Sequence, residues 1–186
     1  MRNTFFNNYF LKISKLLNSI NFKELDQIYD LILKTSKKKG KILIFGNGAN
    51  ISTSAHFATD MTKNGKIKTM VFNDPNLITC FSNDYGFDQW IKKTIEYYGS
   101  KKDLIILLSA SGESKNLVNA ARYCKKKKIK YVSISGFKKN NSLSRYSKIN
   151  LWINSKSYNL VEIIQMIILL SFVDKKIGSL TYKSNL

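Results

Sequence analysis

Apolar residues recur at helical spacing through the first forty positions. Between residues 3 and 19 they fall at Phe6, Phe10, Ile13 and Leu17, with Leu16 and Ile20 flanking. That stripe, near period 3.6, predicts an amphipathic helix. Leu25, Ile28, Leu31 and Ile32 repeat the pattern over 22–38, and the lysine run at 37–39 followed by Gly40 predicts a C-cap there. From residue 41 the pattern changes. Residues 41–45 form a short apolar run bounded by glycines and predict a buried strand. A helix is predicted over 52–63, a strand over 67–72, a short helix or turn over 75–82, and a helix over 87–98. Residues 103–108 give the third and most apolar strand. A helix over 114–127 and strands over 130–135 and 149–153 follow. Residues 158–175 predict a long apolar helix buried on most faces, and the polar tail from Gly178 reads as loose.

Strands alternating with helices imply parallel βαβ units with helices on both faces of the sheet. The expected fold class is α/β: one doubly wound, five-stranded parallel sheet carrying an N-terminal helical extension. The expected division is 1–39 for the N-terminal helices, 40–177 for the α/β domain and 178–186 for the tail. In such sheets ligands bind beyond the carboxyl ends of the strands. The residues just after Phe45 and Leu108 are therefore where chemistry is to be sought.

Composition narrows the function classes. The 186 residues include 44% hydrophobic and 12% aromatic residues, enough for one core without disulfide staples. The formal net charge is +19, and all but three of the 31 basic residues are lysine. Such a surface suits phosphate neutralisation. Yet the lysines are spread along the chain, and arginine, which reads bases through bidentate contacts, is limited to Arg2, Arg122 and Arg145. Nucleic acid is not the expected partner; the charge is expected to gather anionic ligands. Two cysteines, Cys80 and Cys124, and one histidine cannot furnish a Cys/His zinc finger. A serine or cysteine hydrolase would have to use His56. With no sign of secretion, two buried thiols are expected rather than a disulfide. No apolar run reaches the roughly 20 residues a bilayer needs, and the N-terminus has no signal-peptide pattern, so no membrane is expected and the location is expected to be cytoplasmic.

Two turns carry candidate chemistry. After the first strand comes Gly46-Asn47-Gly48-Ala49-Asn50, leading into the helix with His56. It suits an anion at a helix N-terminus, or simply a tight β–α turn. It is not a dinucleotide fingerprint, because Ile51 stands at the third glycine position, and it lacks the lysine of a P-loop. After the third strand comes Ser109-Ala110-Ser111-Gly112-Glu113-Ser114. Short hydroxyls and free backbone N–H groups can converge there on phosphate oxygens; the alternative is a serine-rich turn capped by Ser114. Two such turns in one parallel sheet favour phosphate.

These turns, together with His56-Phe57-Ala58 and Asn83-Asp84-Tyr85-Gly86-Phe87, make the chain resemble the sugar isomerase (SIS) domain, most closely the phosphoheptose isomerases of surface-sugar pathways. The resemblance runs to Lys176. It implies a five-stranded parallel sheet, a homotetramer with sites between subunits, and N-terminal helices that pack on the domain and on a neighbouring subunit. It implies that Ser109, Ser111 and Ser114 bind the phosphate of a sugar phosphate, with Ala110 replacing a frequent threonine. Gly48 and Asn50 would contact substrate, Asn50 standing in for a serine, and Asp84 would match an active-site aspartate.

The catalytic positions depart from that pattern. A His and Glu four apart become His56 and Asp60. On the last helix a Gln, followed eight residues later by a His, becomes Glu162 and Leu170. Asn159 stands at an aspartate of the pattern. Many relatives carry a His three residues after such a Glu; here it is Gln165, which can hydrogen-bond substrate but cannot titrate. The resemblance leaves zinc an incomplete ligand set of His56, Asp60 and Glu162. The residues leave His56 open between a buried imidazole, a sugar-contacting or proton-shuttling group, and a metal ligand. Glu162 is either a general base or an exposed glutamate favoured by the helix dipole. The function implied is aldose–ketose isomerisation of a sugar phosphate for surface-glycan precursors, with Glu162, His56, Asp60 and Asp84 as the catalytic set. The alternative is a SIS protein that binds phosphosugar without turnover and acts through a protein partner.

Overall fold

Five parallel strands lie in the order β2-β1-β3-β4-β5 in the computed structural model, which describes residues 2–181 and side chains from Thr4 onward. The strands are β1 (Ile42–Phe45), β2 (Thr69–Val71), β3 (Leu104–Ser109), β4 (Lys130–Ser135) and β5 (Asn150–Trp152). The helices are α1 (Arg2–Asn18), α2 (Phe22–Lys37), α3 (Ala49–Lys63), α4 (Pro75–Tyr85), α5 (Trp90–Tyr98), α6 (Lys115–Lys127) and α7 (Tyr158–Ile177). β1 and β3 are paired in register from Ile42↔Leu104 to Phe45↔Leu107, and every residue of both is buried. Alternate side chains therefore feed two cores. Ile42, Ile44, Leu104 and Ile106 join α1, α2, α3 and α7 on one face. Leu43, Phe45, Ile105 and Leu107 join α4, α5 and α6 on the other. The α/β expectation holds, and the chain reverses strand order between β1 and β3, where such sheets place their ligands.

Local chemistry sets the helix ends. Asn21 caps α2, its Oδ1 accepting from Lys23 N and Glu24 N. Asp74 Oδ1 accepts from Leu77 N, and Pro75 opens the first turn, so residues 75–85 make a full helix where a short helix or turn was expected. The end of α2 differs from expectation. Lys39, not Gly40, takes the left-handed conformation. Gly40 is needed for closeness: a Cβ there would lie 2.2 Å from Lys102 O.

Three other expectations shift. In α1 the core stripe is Tyr9, Ile13, Leu16, Leu17 and, just beyond, Ile20, so Phe6 and Phe10 point outward. The long helix α7 is not buried on most faces. It buries Val161, Ile164, Gln165, Ile168 and Phe172 but leaves Ile163 and Ile167 exposed. Cys124 is buried, and burial pushes its thiol up to about 12, whereas Cys80 is exposed rather than buried. Among the described residues no helix is long and apolar enough to cross a membrane. The expected loose tail falls largely on residues 182–186, outside the described residues.

Candidate functional site

The turn after β3 folds around its own hydroxyls. Ser109 Oγ lies 3.2 Å from Ser114 Oγ and accepts a hydrogen bond from Gly112 N at 3.0 Å. Ser111 Oγ accepts from Glu113 N at 3.2 Å. Gly112 has φ +72°, and a Cβ there would fall 2.1 Å from Asn141 Cγ, so only glycine fits. Ser114 holds the cap position of α6, but its hydroxyl turns to Ser109 instead of bonding a backbone N–H of the helix. Leu117 N is taken by Asn116 Oδ1 at 2.9 Å, which leaves the N–H groups of Lys115 and Asn116 at the start of α6 without an intrahelical acceptor, with the positive end of the helix dipole behind them. Ser109 and Ser114 are thus brought together, and Ser111 lies between them in the same turn, making one serine cradle.

The glycine turn lies beside it, because β1 and β3 are neighbours. Gly48, with φ +55°, precedes α3, which starts at Ala49, three residues earlier than expected. Asn47 and Asn116 join the two turns through a reciprocal amide pair. Asn47 Nδ2 donates to Asn116 Oδ1 at 3.0 Å, and Asn116 Nδ2 donates to Asn47 Oδ1 at 2.9 Å. Asn50 is buried under the turn, its Oδ1 without a hydrogen-bond partner among the described residues. Its Cβ would touch a Cβ at Gly46 at 2.5 Å.

α3 and α7 run side by side, and two cavities open along their seam. The first, about 350 Å³, is lined by Ala49, Ser52 and Thr53 of α3, by Asn159, Glu162, Ile163 and Met166 of α7, and by Tyr9. Glu162 is half-buried there, on the same rim as the glycine turn. The second, about 470 Å³, is lined by His56 and Asp60 of α3 and by Leu170, Val173 and Asp174 of α7. His56 Nε2 sits 3.1 Å from Asp60 Oδ2, and the ring is half exposed, so it is not a buried structural imidazole.

The structure separates some residues that spacing had grouped. Glu162 and Leu170 are eight residues apart, about 12 Å along the helix axis, and His56 with Asp60 faces the latter. Among the described residues no group of three or more His, Cys, Asp or Glu is placed to hold a metal ion. The expected set of His56, Asp60 and Glu162 is thus not gathered within one chain. A protein zinc site takes at least three protein donors; Asp174 lines the same cavity as His56 and Asp60, but the three are not gathered closely enough to hold a metal ion. Gln165 faces the core, fully buried, its Nε2 donating to Ile134 O at 2.8 Å. Asp84 lies on α4, whose apolar side packs on the opposite face of the sheet from Glu162. Its Oδ1 accepts from Asn83 Nδ2 at 3.0 Å, and both residues are exposed.

Sequence reading missed Glu113, Asn141 and Ser142. The Glu113 carboxylate accepts from Ser142 N and Ser142 Oγ. The Ser142 hydroxyl and amide, with Arg145 and Lys138 nearby, hold that carboxyl below its usual range. The one available signal was Asn140-Asn141-Ser142, a loop tripeptide rich in side chains that bond backbone.

Comparison with known proteins follows the same lines. A family model described as the SIS domain matches residues 8–136. A phosphoheptose isomerase of Helicobacter pylori (strain P12) is 33% identical over 130 residues, covering 67% of this chain and 67% of that protein. Another, of Glaesserella parasuis serovar 5, is 33% identical over 123 residues, covering 62% and 63%. The matched segments thus span about three fifths to two thirds of these relatives. The solved structure of a phosphoheptose isomerase from Neisseria gonorrhoeae superposes with a TM-score of 0.86 at 21% identity, covering 95% of this chain and 99% of that one, and shows the same fold.

Proposed function

The chain belongs to the SIS domain family, and we propose from that premise that it is a phosphosugar isomerase acting on sedoheptulose 7-phosphate, a reading supported by its likeness to proteins named phosphoheptose isomerase. The observation that carries the reading is the placement of the serine cradle and Glu162 on one rim of the sheet, on either side of the β1–β3 reversal. Ser109, Ser111, Ser114 and the first N–H groups of α6 hold the phosphate. Gly48 lets backbone approach the sugar, and Asn50 supports the turn from beneath.

Isomerisation moves a proton between adjacent carbons. In the aldose-to-ketose direction, the Glu162 carboxylate takes the proton from C2. The electrons of that C–H bond form the C1=C2 bond of an enediol, while the carbonyl electrons move to O1, which takes up a proton. O2 then gives up its proton as the C2 carbonyl forms, and Glu162 returns a proton to C1. His56, oriented by Asp60, lines the next cavity of the seam, so its part in moving the proton between the oxygens comes, like the contact of Asp84, from a neighbouring subunit.

Asp84 sits on the far face, so its contact with substrate comes from a neighbouring subunit. Phe5, Phe6 and Phe10 of α1 and Ile163 and Ile167 of α7 present exposed apolar surface that supports a homo-oligomer, and we assign a tetramer. In this reading residues 1–39 pack between subunits, residues 40–177 bind the phosphosugar, and the protein works in the cytoplasm on surface-glycan precursors.

Leu170, which brings no proton-transfer group to the His56–Asp60 cavity, favours a second reading: a SIS protein that binds phosphosugar and acts through a protein partner. The purified protein in heavy water with sedoheptulose 7-phosphate, with and without added zinc, separates the two by NMR. Deuterium at C1 or C2 together with an aldose product is expected. Sugar-phosphate binding with no exchange and no product would leave the second reading standing.

A further inference from the structure

The loop between β4 and β5 folds back across the carboxyl end of β3 and grips the serine turn residue by residue. Asn141 is 1% exposed and spends its whole amide locally. Its Nδ2 donates to Ser135 Oγ at 2.9 Å, Gly136 O at 3.2 Å and Lys138 O at 2.8 Å, and its Oδ1 accepts from Ser144 N at 2.9 Å. That rigid amide is the surface against which Gly112 packs. The next loop residue, Ser142, donates its N–H and its hydroxyl to the Glu113 carboxylate. The residue after that, Leu143, donates its N–H to Gly112 O at 2.9 Å. Three consecutive loop residues therefore hold two consecutive turn residues. Gly112 N is in turn the donor that fixes Ser109 Oγ.

Glu113 is out of place in electrostatic terms. A carboxylate within a turn that binds phosphate repels the ligand. Here both of its oxygens are committed to Ser142, and Lys138 and Arg145 of the same loop lie close enough to offset its charge. Its use is as a handle for the loop.

We propose that Glu113, Asn141 and Ser142 form a brace that holds the serine turn in its phosphate-binding shape, making them positioning residues for the sugar phosphate. The inference rests on the phosphate-binding role given above to Ser109, Ser111 and Ser114.

The sign of the effect separates a brace from a bystander. If Glu113 were only a surface carboxylate, Glu113→Ala would remove a repulsion and tighten phosphate binding. A brace predicts the reverse: calorimetry with inorganic phosphate should show affinity weakened about fivefold or more. Glu113→Gln, which keeps an acceptor for Ser142 N–H and loses the charge, should restore near-wild-type affinity. Hydrogen exchange of the ligand-free protein supplies a readout independent of phosphate. The Gly112 and Leu143 amides should exchange faster in Glu113→Ala while the thermal midpoint moves little, because residue 113 is exposed and the variant folds. Unchanged exchange at Gly112, or tighter phosphate binding in Glu113→Ala, overturns the brace. Ser111→Ala is the control. If it weakens phosphate binding while Glu113→Ala does not, the brace falls and the phosphate site stands. If Ser111→Ala leaves affinity unchanged, or the wild type binds no phosphate, the site assignment falls and takes the brace's role with it.

Discussion

At the amino ends of β1 and β3, Asp103 accepts four hydrogen bonds: from Lys41 N and Lys41 Nζ, both at 2.9 Å, and from Ser100 N and Ser100 Oγ at 2.8 and 3.0 Å. Gly40 lets the backbone close on Lys102 there. At the carboxyl ends of the same two strands, neutral groups replace charge. The Asn47–Asn116 amide pair joins the turns, and the hydroxyls of Ser109 and Ser114 meet at 3.2 Å. One strand pair thus ends in a charged lock on one side and the proposed phosphate cradle on the other. A buried carboxylate at the cradle end would oppose a phosphate; at the lock end it joins strands far from any ligand. The one carboxylate inside the cradle, Glu113, is tied off by Ser142. Fold stability and the proposed ligand chemistry thereby fall at opposite ends of one strand pair.

That division is open to attack by substitution. The largest expected effect is on catalysis at the carboxyl end. Glu162→Gln removes the proposed base while keeping a similar shape, and turnover should fall about 10²- to 10⁴-fold, with phosphate affinity and thermal midpoint near wild type. Steady-state kinetics beside calorimetry would check this, and a fully active variant would remove Glu162 from the mechanism.

The next effect belongs to the lock. Asp103→Ala strands the buried amides and the Lys41 ammonium, and should cost about 3 kcal/mol in denaturant unfolding. Burial raises the Asp103 carboxyl, but the hydrogen bonds from Lys41 and Ser100 outweigh it and hold it below its usual range. A carboxyl lowered in the folded state contributes stability that is present above its unfolded pKa, about 3.9, and lost as pH falls through the lower folded value. The advantage of wild type over Asp103→Asn should therefore be full at pH 7 and shrink below about pH 4. Phosphate affinity at pH 7 should be nearly the same in both, and a large change would mean that the two ends are not independent.

The lock and the cradle were not equally legible in the sequence. The glycine and serine turns announce themselves, because φ above zero and close approach demand glycine and because hydroxyls cluster where a buried strand stops. The apolar runs at β1 and β3 were as plain. Gln165 shows where spacing misleads. Residues three apart on a helix differ by about 60° around its axis. On α7 that is enough to put Glu162 in the seam and Gln165 in the core against Ile134 O. His56 and Asp60 meet at 3.1 Å as their four-residue spacing implied. The separation of Glu162 from Leu170 along α7 follows from helix rise alone. The grip of Asn141 and Ser142 on Gly112 and Glu113 had no periodic signal, since it depends on a loop 29 residues further along folding back over a strand end. The start of α3 was placed late because Ala49 and Asn50 follow a glycine turn whose positive φ only the backbone reveals.

The smallest expected effect tests whether the cradle's tie serves the ligand or the fold. Asn47→Ala removes both amide bonds to Asn116 and leaves that buried side chain short of partners, although its Oδ1 still accepts from Leu117 N at 2.9 Å. Loss of one such neutral pair should cost about 1 kcal/mol of stability. A double-mutant cycle with Asn116→Ala isolates the pair, and a coupling of about 1 kcal/mol is expected. Run on phosphate affinity, the same cycle should give a coupling at least as large, because the pair joins the two turns that flank the proposed ligand. Coupling in stability without coupling in affinity would make the amide pair a second structural lock, and the contrast between the two strand ends would then reduce to the serine cradle alone.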